Sequence, residues 1–421
     1  MQNGLVTPSS DRNKNPLLVR YNTFVTTKLP ELLTRGVEQI VPDATGLFAL
    51  MEQKKIRVYL GIDPSGNLLT LGHSVVLRKL QQFAAAGHEV ILLIGNGTVR
   101  IGDPTGRDST RPELTDEVIQ ENFKNWKQQA SKILDFDKIS IRYNGDWLDK
   151  LTYQDIVKLL AKTTIQQMVE RDMFQERIKN ELPIFGHEII YPLLQGYDSV
   201  VMDVDLELGG SDQLFNMLMG RTLQKSYNNR EKWVLTTPII NGTDGRKMSK
   251  SYGNFVALTE EPTEMYGKLM RIADEQIIQY FTLLTDVAAE EISEMERAMQ
   301  AGENPMGFKQ QLAKTIVTQY HTQALANMAA DYFHTTVQQK SASEVDPTIT
   351  VSSCKLSVLS LASECLPNES KNNLRRLITQ GGTAIYAPDE QKITDPQQML
   401  DTTNISAIRI GKRNYFRINH D

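Results

Sequence analysis

The chain has 421 residues, 40% of them hydrophobic and 23% charged, with a formal net charge of −5. That length suits two or three domains with ample core, and no apolar run approaches the roughly 18–20 residues of a membrane span. Two cysteines, Cys354 and Cys365, rule out a disulfide framework and argue against a Cys-based zinc site, while the acidic balance argues weakly against a dedicated nucleic-acid binder.

In chain order, residues up to about Asn15 carry no periodic pattern and are expected to be disordered. This N-terminus has no apolar block of a secretory signal and no transit-peptide character, so a cytoplasmic, reducing setting is expected. Helical spacing runs from Tyr21 to Met51, broken at Pro30, Gly36 and Pro42. Residues 56–63 read as a buried strand that runs into the turn Pro64-Ser65-Gly66-Asn67. Residues 74–86 have helical spacing and close with Gly87, and residues 89–95 are a nearly all-apolar second strand. Strand, turn, helix and strand within about 40 residues make a βαβ unit, hence the expectation of a doubly wound parallel sheet. The Gly/Asp/Thr-rich segment 95–110 follows a strand end, where open α/β sheets bind ligands.

Residues 115–181 read as mostly helical and charged, and 200–208 and 233–240 as further strands. The first of these ends in Gly209-Gly210-Ser211-Asp212-Gln213; the second leads into a Gly- and Lys-rich loop, 241–254. Residues 262–336 are amphipathic and helical, and the polar stretch 338–347 reads as a linker. Two helices, at 358–364 and 371–379, then precede short strands. From Val351 on, nine Lys and Arg stand against seven Asp and Glu, a local balance of +2 on a body of −7. The expected division is a catalytic unit at 1–260, a helical unit at 261–337, a linker at 338–350 and a small α+β unit at 351–421.

There is no GxxxxGK[ST] and no GxGxxG after the first strand, so neither a P-loop enzyme nor a dehydrogenase is indicated, and GGSDQ is not a nucleophile elbow. Two weaker motifs stand in a telling order. Thr70-Leu71-Gly72-His73 opens the first crossover helix, where free backbone amides and the helix dipole suit a phosphate. Gly72 leaves room for a flat base against backbone, and His73 can donate to a phosphate oxygen. Lys247-Met248-Ser249-Lys250-Ser251 places two lysines three apart on a glycine-rich loop, able to clamp a polyphosphate. Taken singly, a capping threonine with a surface histidine, and a solvated basic loop, are the plainer readings.

Together the two motifs resemble the signatures of class I aminoacyl-tRNA synthetases. With Tyr59-Leu60-Gly61-Ile62-Asp63-Pro64-Ser65, the Tyr191, Gln195, Asp198 helix and the Asp212-Gln213 turn, residues 30–421 resemble bacterial-type tyrosyl-tRNA synthetases. Tyr191, Gln195 and Asp198 stand at i, i+4 and i+7 on one helix face, and Pro192 fits a first helical position. The resemblance implies a Rossmann-like catalytic domain, a helical anticodon-binding domain and a ribosomal-protein-like RNA-binding tail. It implies activation of L-tyrosine by ATP, with Mg2+ accompanying the nucleotide, and transfer to tRNA(Tyr) by a homodimer.

The resemblance also assigns roles. Tyr59 and Asp198 would bind the phenol hydroxyl, and Asp103, Tyr191 and Gln195 the ammonium, with Gly61 and Gln213 completing the tyrosine site. Asp63, Ser65, Gly72, His73, Asp212, Lys247, Lys250 and Ser251 would face ATP. Arg375, Arg376, Lys412 and Arg413 would track the tRNA backbone. Thr70, His73, Lys247 and Lys250 would stabilise the transition state. Thr70 stands where the family's signature has its first histidine, a change expected to cost roughly 1–2 kcal/mol, or about 5–30-fold in activation rate. A tryptophan-specific sister enzyme and a non-catalytic RNA-binding relative are the rival readings.

Overall fold

The structure is a computed structural model and describes residues 29–105, 114–335, 348–351, 354–367, 369–387, 390–411 and 414–420. The N-terminal stretch expected to be disordered, most of the expected linker, and Lys412 and Arg413 lie outside these residues.

Six strands form the main sheet: β1 (Gln39–Val41), β2 (Arg57–Ile62), β3 (Glu89–Ile94), β4 (Ile139–Tyr143), β5 (Leu206–Gly210) and β6 (Trp233–Thr237). Their order is β1-β6-β5-β2-β3-β4, with every pair parallel except β1, which runs antiparallel to β6. The chain therefore winds outward in two directions from the β2/β5 boundary. That is the topological switch point, where a crevice opens at the carboxyl ends of the strands. Helices α1 (Ala44–Gln53), α2 (Leu71–Ala85), α3 (Asp116–Ala130) and the short α4 (Gly145–Leu148), α5 (Tyr153–Leu160), α6 (Ile165–Val169) and α7 (Asp172–Lys179) precede α8 (Gly186–Met202) and α9 (Leu214–Asn228).

Several local expectations change. Residues 39–41, inside the stretch read as helical, form the antiparallel edge strand β1. Residues 139–143 form β4 within a stretch read as mostly helical. Val200, Val201 and Met202 are the last turn of α8, which ends at Asp203 in left-handed conformation (φ 49°), so the strand begins only at Leu206. Pro192 lies inside α8 rather than at its start. The helix begins six residues earlier because Glu188, paired with the buried Arg177 of α7 at 2.7 Å, accepts the Phe185 N–H and fixes the first turn.

Five helices follow: α10 (Pro262–Leu269), α11 (Ile277–Leu284), α12 (Ala289–Gln300), α13 (Pro305–Tyr320) and α14 (Gln323–Phe333). Their apolar faces join the main core. One continuous cluster runs from Leu60, Leu77 and Leu80 through Leu258 and Tyr266 to Phe281, Leu312 and Ala326. Arg35 reinforces this union by donating to the carbonyls of Phe281, Thr282, Thr285 and Val287 at the C-terminal end of α11.

The tail has its own core, built on Leu361, Leu374, Ile378, Ile408 and Ile410. Helices α15 (Val358–Cys365) and α16 (Lys371–Thr379) accompany β7 (Thr348–Val351), β8 (Lys355–Ser357), β9 (Thr383–Tyr386), β10 (Glu390–Ile393), β11 (Met399–Asp401), β12 (Ala407–Ile410) and β13 (Asn414–His420). Five of these strands form a sheet in the order β10-β9-β12-β13-β7. Residues 348–350, expected in the linker, already belong to β7, which pairs in parallel with β13.

Candidate active site

A cavity of about 280 Å³ opens at the switch point. The ends of β2 (Gly61, Ile62, Asp63) and β5 (Gly209, Gly210) and Gly95 beyond β3 form its rim; Tyr191, Gln195 and Asp198 of α8 form one wall. Gly95 is required by close approach: a Cβ there would lie 2.0 Å from Asp63 Oδ1.

Asp198, 2% exposed, lines the deep end. Its two oxygens accept from Trp147 Nε1 at 2.9 Å and Asn144 Nδ2 at 3.2 Å. Burial pushes its carboxyl well above the ordinary range, with Glu207 and Asp63 adding to the rise, while the two N–H donors act the other way. The remaining lone pairs can accept a ligand hydroxyl.

Tyr59 is placed differently from Asp198. Its ring is buried beneath the cavity among Ile91, Leu93, Met202 and Val204 and does not line the wall. Its hydroxyl lies 2.8 Å from Ser199 Oγ, beside the fully buried pair of Lys232 and Glu207. Lys232 also donates to Ser199 Oγ at 2.8 Å. A buried ion pair needs every remaining lone pair and proton satisfied, and Tyr59 and Ser199 serve that need. Of the two residues expected at a phenol, the structure brings Asp198 to the cavity wall and leaves Tyr59 below it.

The mouth of the cavity is a polar lattice spanning distant parts of the chain. Asp63 accepts from Thr98 Oγ1 (2.7 Å) and from the Tyr191 hydroxyl (2.8 Å). Asp103 accepts from Gln213 Nε2 (2.8 Å) and from the Thr105 hydroxyl (2.7 Å). Gln195 Oε1 is buried without a protein partner and, from this wall, can accept from a ligand cation. Arg171, stacked 4.8 Å over Phe215, donates to Thr105 Oγ1 at 2.8 Å. Burial lowers its pKa and Asp103 partly restores it.

The second half of the site lies at the start of α2. His73 lines the main cavity and an adjoining one that also includes Thr70, Gly72, Asp212, Lys247 and Met248. Burial, and secondarily Lys250, lower its imidazole to about 4, so the ring is neutral near pH 7. Trp126 flanks it at 6.0 Å, its buried Nε1 without a protein partner on the cavity wall. Ser65 lines the same cavity. Lys247 pairs with Asp212 at 2.9 Å, and Lys250 Nζ would lie 3.3 Å from a Cβ at Gly66. Ser251 is exposed on the loop.

The expected residues at the two ends of the cavity are thus assembled from six separate segments. Thr98, Asn144, Trp147, Trp126 and Arg171 complete the lattice and were not expected from sequence. Trp126, Trp147 and Arg171 lie in the stretch 115–181, which the sequence marks only as mostly helical and charged. In the tail, Arg375 and Arg376 stand exposed on α16. Among the described residues no group of three or more His, Cys, Asp or Glu is placed to hold a metal ion.

Residues 51–338 match the family model for tRNA synthetases class I (W and Y). Over 390 residues the chain is 44% identical to the tyrosine--tRNA ligase of Thermotoga maritima, spanning 92% of this chain and 96% of that one. It is 42% identical over 373 residues to tyrosine--tRNA ligase 2 of Photorhabdus laumondii, spanning 88% and 93%. Among solved structures, a C-terminally truncated mitochondrial tyrosyl-tRNA synthetase of Aspergillus nidulans superposes with TM-score 0.60 at 23% identity. It covers 72% of this chain and 92% of its own, a likeness of fold.

Proposed function

The chain belongs to the tRNA synthetases class I (W and Y), and from its cavity we infer how it performs the family's reaction: ATP-dependent activation of L-tyrosine and transfer of the tyrosyl group to tRNA(Tyr). The observation that carries the choice of tyrosine is Asp198, a buried carboxylate held by two N–H donors at the blind end of the cavity. A phenol hydroxyl donates to it, whereas phenylalanine leaves it facing a hydrocarbon at the cost of an unmet polar group. Tyrosyl-tRNA synthetases are themselves the reference case for this kind of rejection.

With the phenol at Asp198, the ammonium reaches Gln195 Oε1, Asp103 and the Tyr191 oxygen. The carboxylate then points toward Gln213 and the start of α2. It attacks the α-phosphate in line, the P–O bond to the leaving group breaks, and pyrophosphate departs. The attacking carboxylate is already ionised, so no general base is needed, and catalysis is positioning and charge stabilisation. His73 Nε2–H, Ser65, Lys247 and Lys250 supply that stabilisation, with Asp63, Gly72, Asp212 and Ser251 around the nucleotide. When bound with ATP, Mg2+ would supply counter-charge to the phosphates. A ribose hydroxyl of the terminal adenosine of tRNA then attacks the adenylate carbonyl and AMP leaves. Arg375 and Arg376 of α16 present charge to the tRNA backbone, as do Lys412 and Arg413.

The protein is proposed to act in the cytoplasm; no helix among the described residues is long and apolar enough to cross a membrane. It is also proposed to act as a homodimer. Among the described residues, seven of the fourteen exposed large apolar side chains fall between Tyr153 and Phe185, including Tyr153 (83% exposed) and Ile165 (61%), and exposed apolar surface of this kind supports association. Light scattering should give twice 47.6 kDa, and Ile165→Asp combined with Phe185→Asp should give the monomer.

The deciding experiment is amino-acid-dependent ATP–pyrophosphate exchange. Exchange supported by tyrosine and not by phenylalanine or tryptophan is expected; exchange driven by tryptophan alone would overturn the substrate assignment, and none at all would favour an RNA-binding relative.

A further inference from the structure

Thr70 occupies the first position of the helix-opening signature, where a direct contact with ATP phosphates was expected. The geometry gives its hydroxyl a different destination. Thr70 is only 4% exposed. Its backbone N–H donates to His73 Nδ1 at 3.1 Å, and its Oγ1 lies 2.8 Å from the same nitrogen.

The proton positions follow from donor and acceptor rules alone. A backbone N–H can only donate, so Nδ1 carries no proton and the neutral ring holds its proton on Nε2. The Thr70 hydroxyl therefore also donates to Nδ1, which commits its one proton to the histidine. The threonine itself is held on both sides. Leu71 N–H donates to the Val256 carbonyl at 2.9 Å, and Leu258 N–H to the Leu69 carbonyl at 3.0 Å. On the ring's flank, Trp126 limits rotation.

Resting on the synthetase reading of this site, we propose that Thr70 is a positioning residue. Its hydroxyl locks His73 in the Nε2–H tautomer and aims that N–H at the nucleotide phosphates, without touching them itself. The chain has exchanged one phosphate donor for a firmer hold on the other. The burial that keeps the imidazole neutral serves the same end, because a neutral ring has a single proton to aim.

A double-mutant cycle separates the two roles. Thr70→Val keeps the shape of the side chain and removes the hydroxyl. It should lower kcat of tyrosine-dependent exchange roughly 5–30-fold, one hydrogen bond's worth, with the tyrosine KM unchanged and Thr70→Ser recovering most of the loss. In a His73→Asn background the same substitution should cost less than about twofold, since its effect is already gone. Losses that multiply in the double variant would show direct phosphate contact and overturn the proposal, as would a Thr70→Val enzyme with wild-type kcat. The second readout needs no activity. With 15N-labelled histidine, the Nδ1 resonance of His73 in the full-length protein should move toward that of a weakly bonded acceptor in Thr70→Val and return in Thr70→Ser. An unmoved resonance would overturn the lock even in an active enzyme. A moved resonance in a protein without exchange activity would uphold the lock and overturn the synthetase reading instead.

Discussion

Asp198 and His73 are both titratable groups taken out of water, and the site uses each in a different protonation logic. Asp198 is surrounded by donors and waits for one more. Asp198→Ala should therefore raise the KM for tyrosine on the order of 5- to 150-fold, the cost of leaving a buried polar group unmet, and erode discrimination against phenylalanine; steady-state exchange with both amino acids reads this directly. Tyr59→Phe removes a bond to Ser199 and an interaction with Glu207, both below the cavity floor. It should cost about 1 kcal/mol of stability in urea unfolding and move the tyrosine KM less than threefold. His73 makes a pH prediction with a definite sign. Its folded value of about 4 lies below the ordinary 6.5, so protonation favours the unfolded chain. The stability it contributes is complete above pH 6.5 and is lost as pH falls through about 4. Because the ring keeps some surface in the cavity, the contribution is discounted to about 1–3 kcal/mol. Unfolding free energies of wild type and His73→Asn should converge across that window. At this scale the sequence named His73 and Asp198 as candidates, and the fold brings both to the cavity wall. It had no means to show that Tyr59 faces a buried Lys232–Glu207 pair, because those partners lie 148 and 173 positions away.

At the scale of elements, the lysine loop and helix α8 decide most of the chemistry. The loop at 241–254 is braced from within by Asn254, 3% exposed. Its Oδ1 accepts the Ser249 N–H at 2.8 Å, and its Nδ2 donates to Asp244 Oδ1 and to the carbonyls of Arg246 and Lys247. The chain leaving it is stitched to the start of α2 by an isolated bridge between Thr70 and Ala257, so the two elements proposed to face the phosphates share one support. Lys250→Ala should lower kcat roughly 100-fold, as loss of one transition-state donor does. Asn254→Ala should lower it about tenfold by loosening the lysines. Both should leave the KM for tyrosine within twofold, since the proposed amino-acid pocket at Asp198 and Gln195 lies on the α8 wall of the cavity, which the loop does not line. Helix α8 crosses α9 through Gly196 and Gly220; a Cβ on Gly220 would lie 2.5 Å from Lys232 Nζ. The apolar end of α8 at residues 200–202 reads like a strand because its three side chains are all apolar, although Val201 is 40% exposed and only Met202 is buried. The spacing of Tyr191, Gln195 and Asp198 was legible because one helix carries all three. The helix start was not, because a tertiary ion pair between Arg177 and Glu188 sets it.

For the whole molecule, the distribution of cores predicts what can be removed. The tail has a core of its own, whereas the catalytic and helical segments share one. The strand β7 begins at Thr348, so a cut after residue 347 spares the tail's sheet and the shared core alike. The chain ending there should keep tyrosine activation within about twofold, because none of the described tail residues lines the cavity. It should lose most tRNA(Tyr) charging together with the salt dependence that phosphate contacts impose. A parallel loss of exchange and charging would contradict the separation. A chain cut at the expected 260/261 boundary should instead fail to give a cooperative unfolding transition, since that cut passes through the common core.

The sequence by itself determined the βαβ opening, the Thr70–His73 motif at a helix start and the lysine motif on a glycine-rich loop, the helical run after Pro262 and the mildly basic tail. Each of these is a local pattern, set by periodicity, capping and composition within a few turns of chain. Only the tertiary structure decided which candidates share a wall. Asp63 with Tyr191, Asp103 with Gln213, and Lys247 with Asp212 are separated by 128, 110 and 35 positions, and no local rule aligns them. It likewise decided that Tyr59 turns to Ser199 and that the Thr70 hydroxyl turns to His73. Buried donors and acceptors must pair with whatever the fold brings within about 3 Å, and that neighbourhood exists only once the sheet has wound in both directions from its switch point.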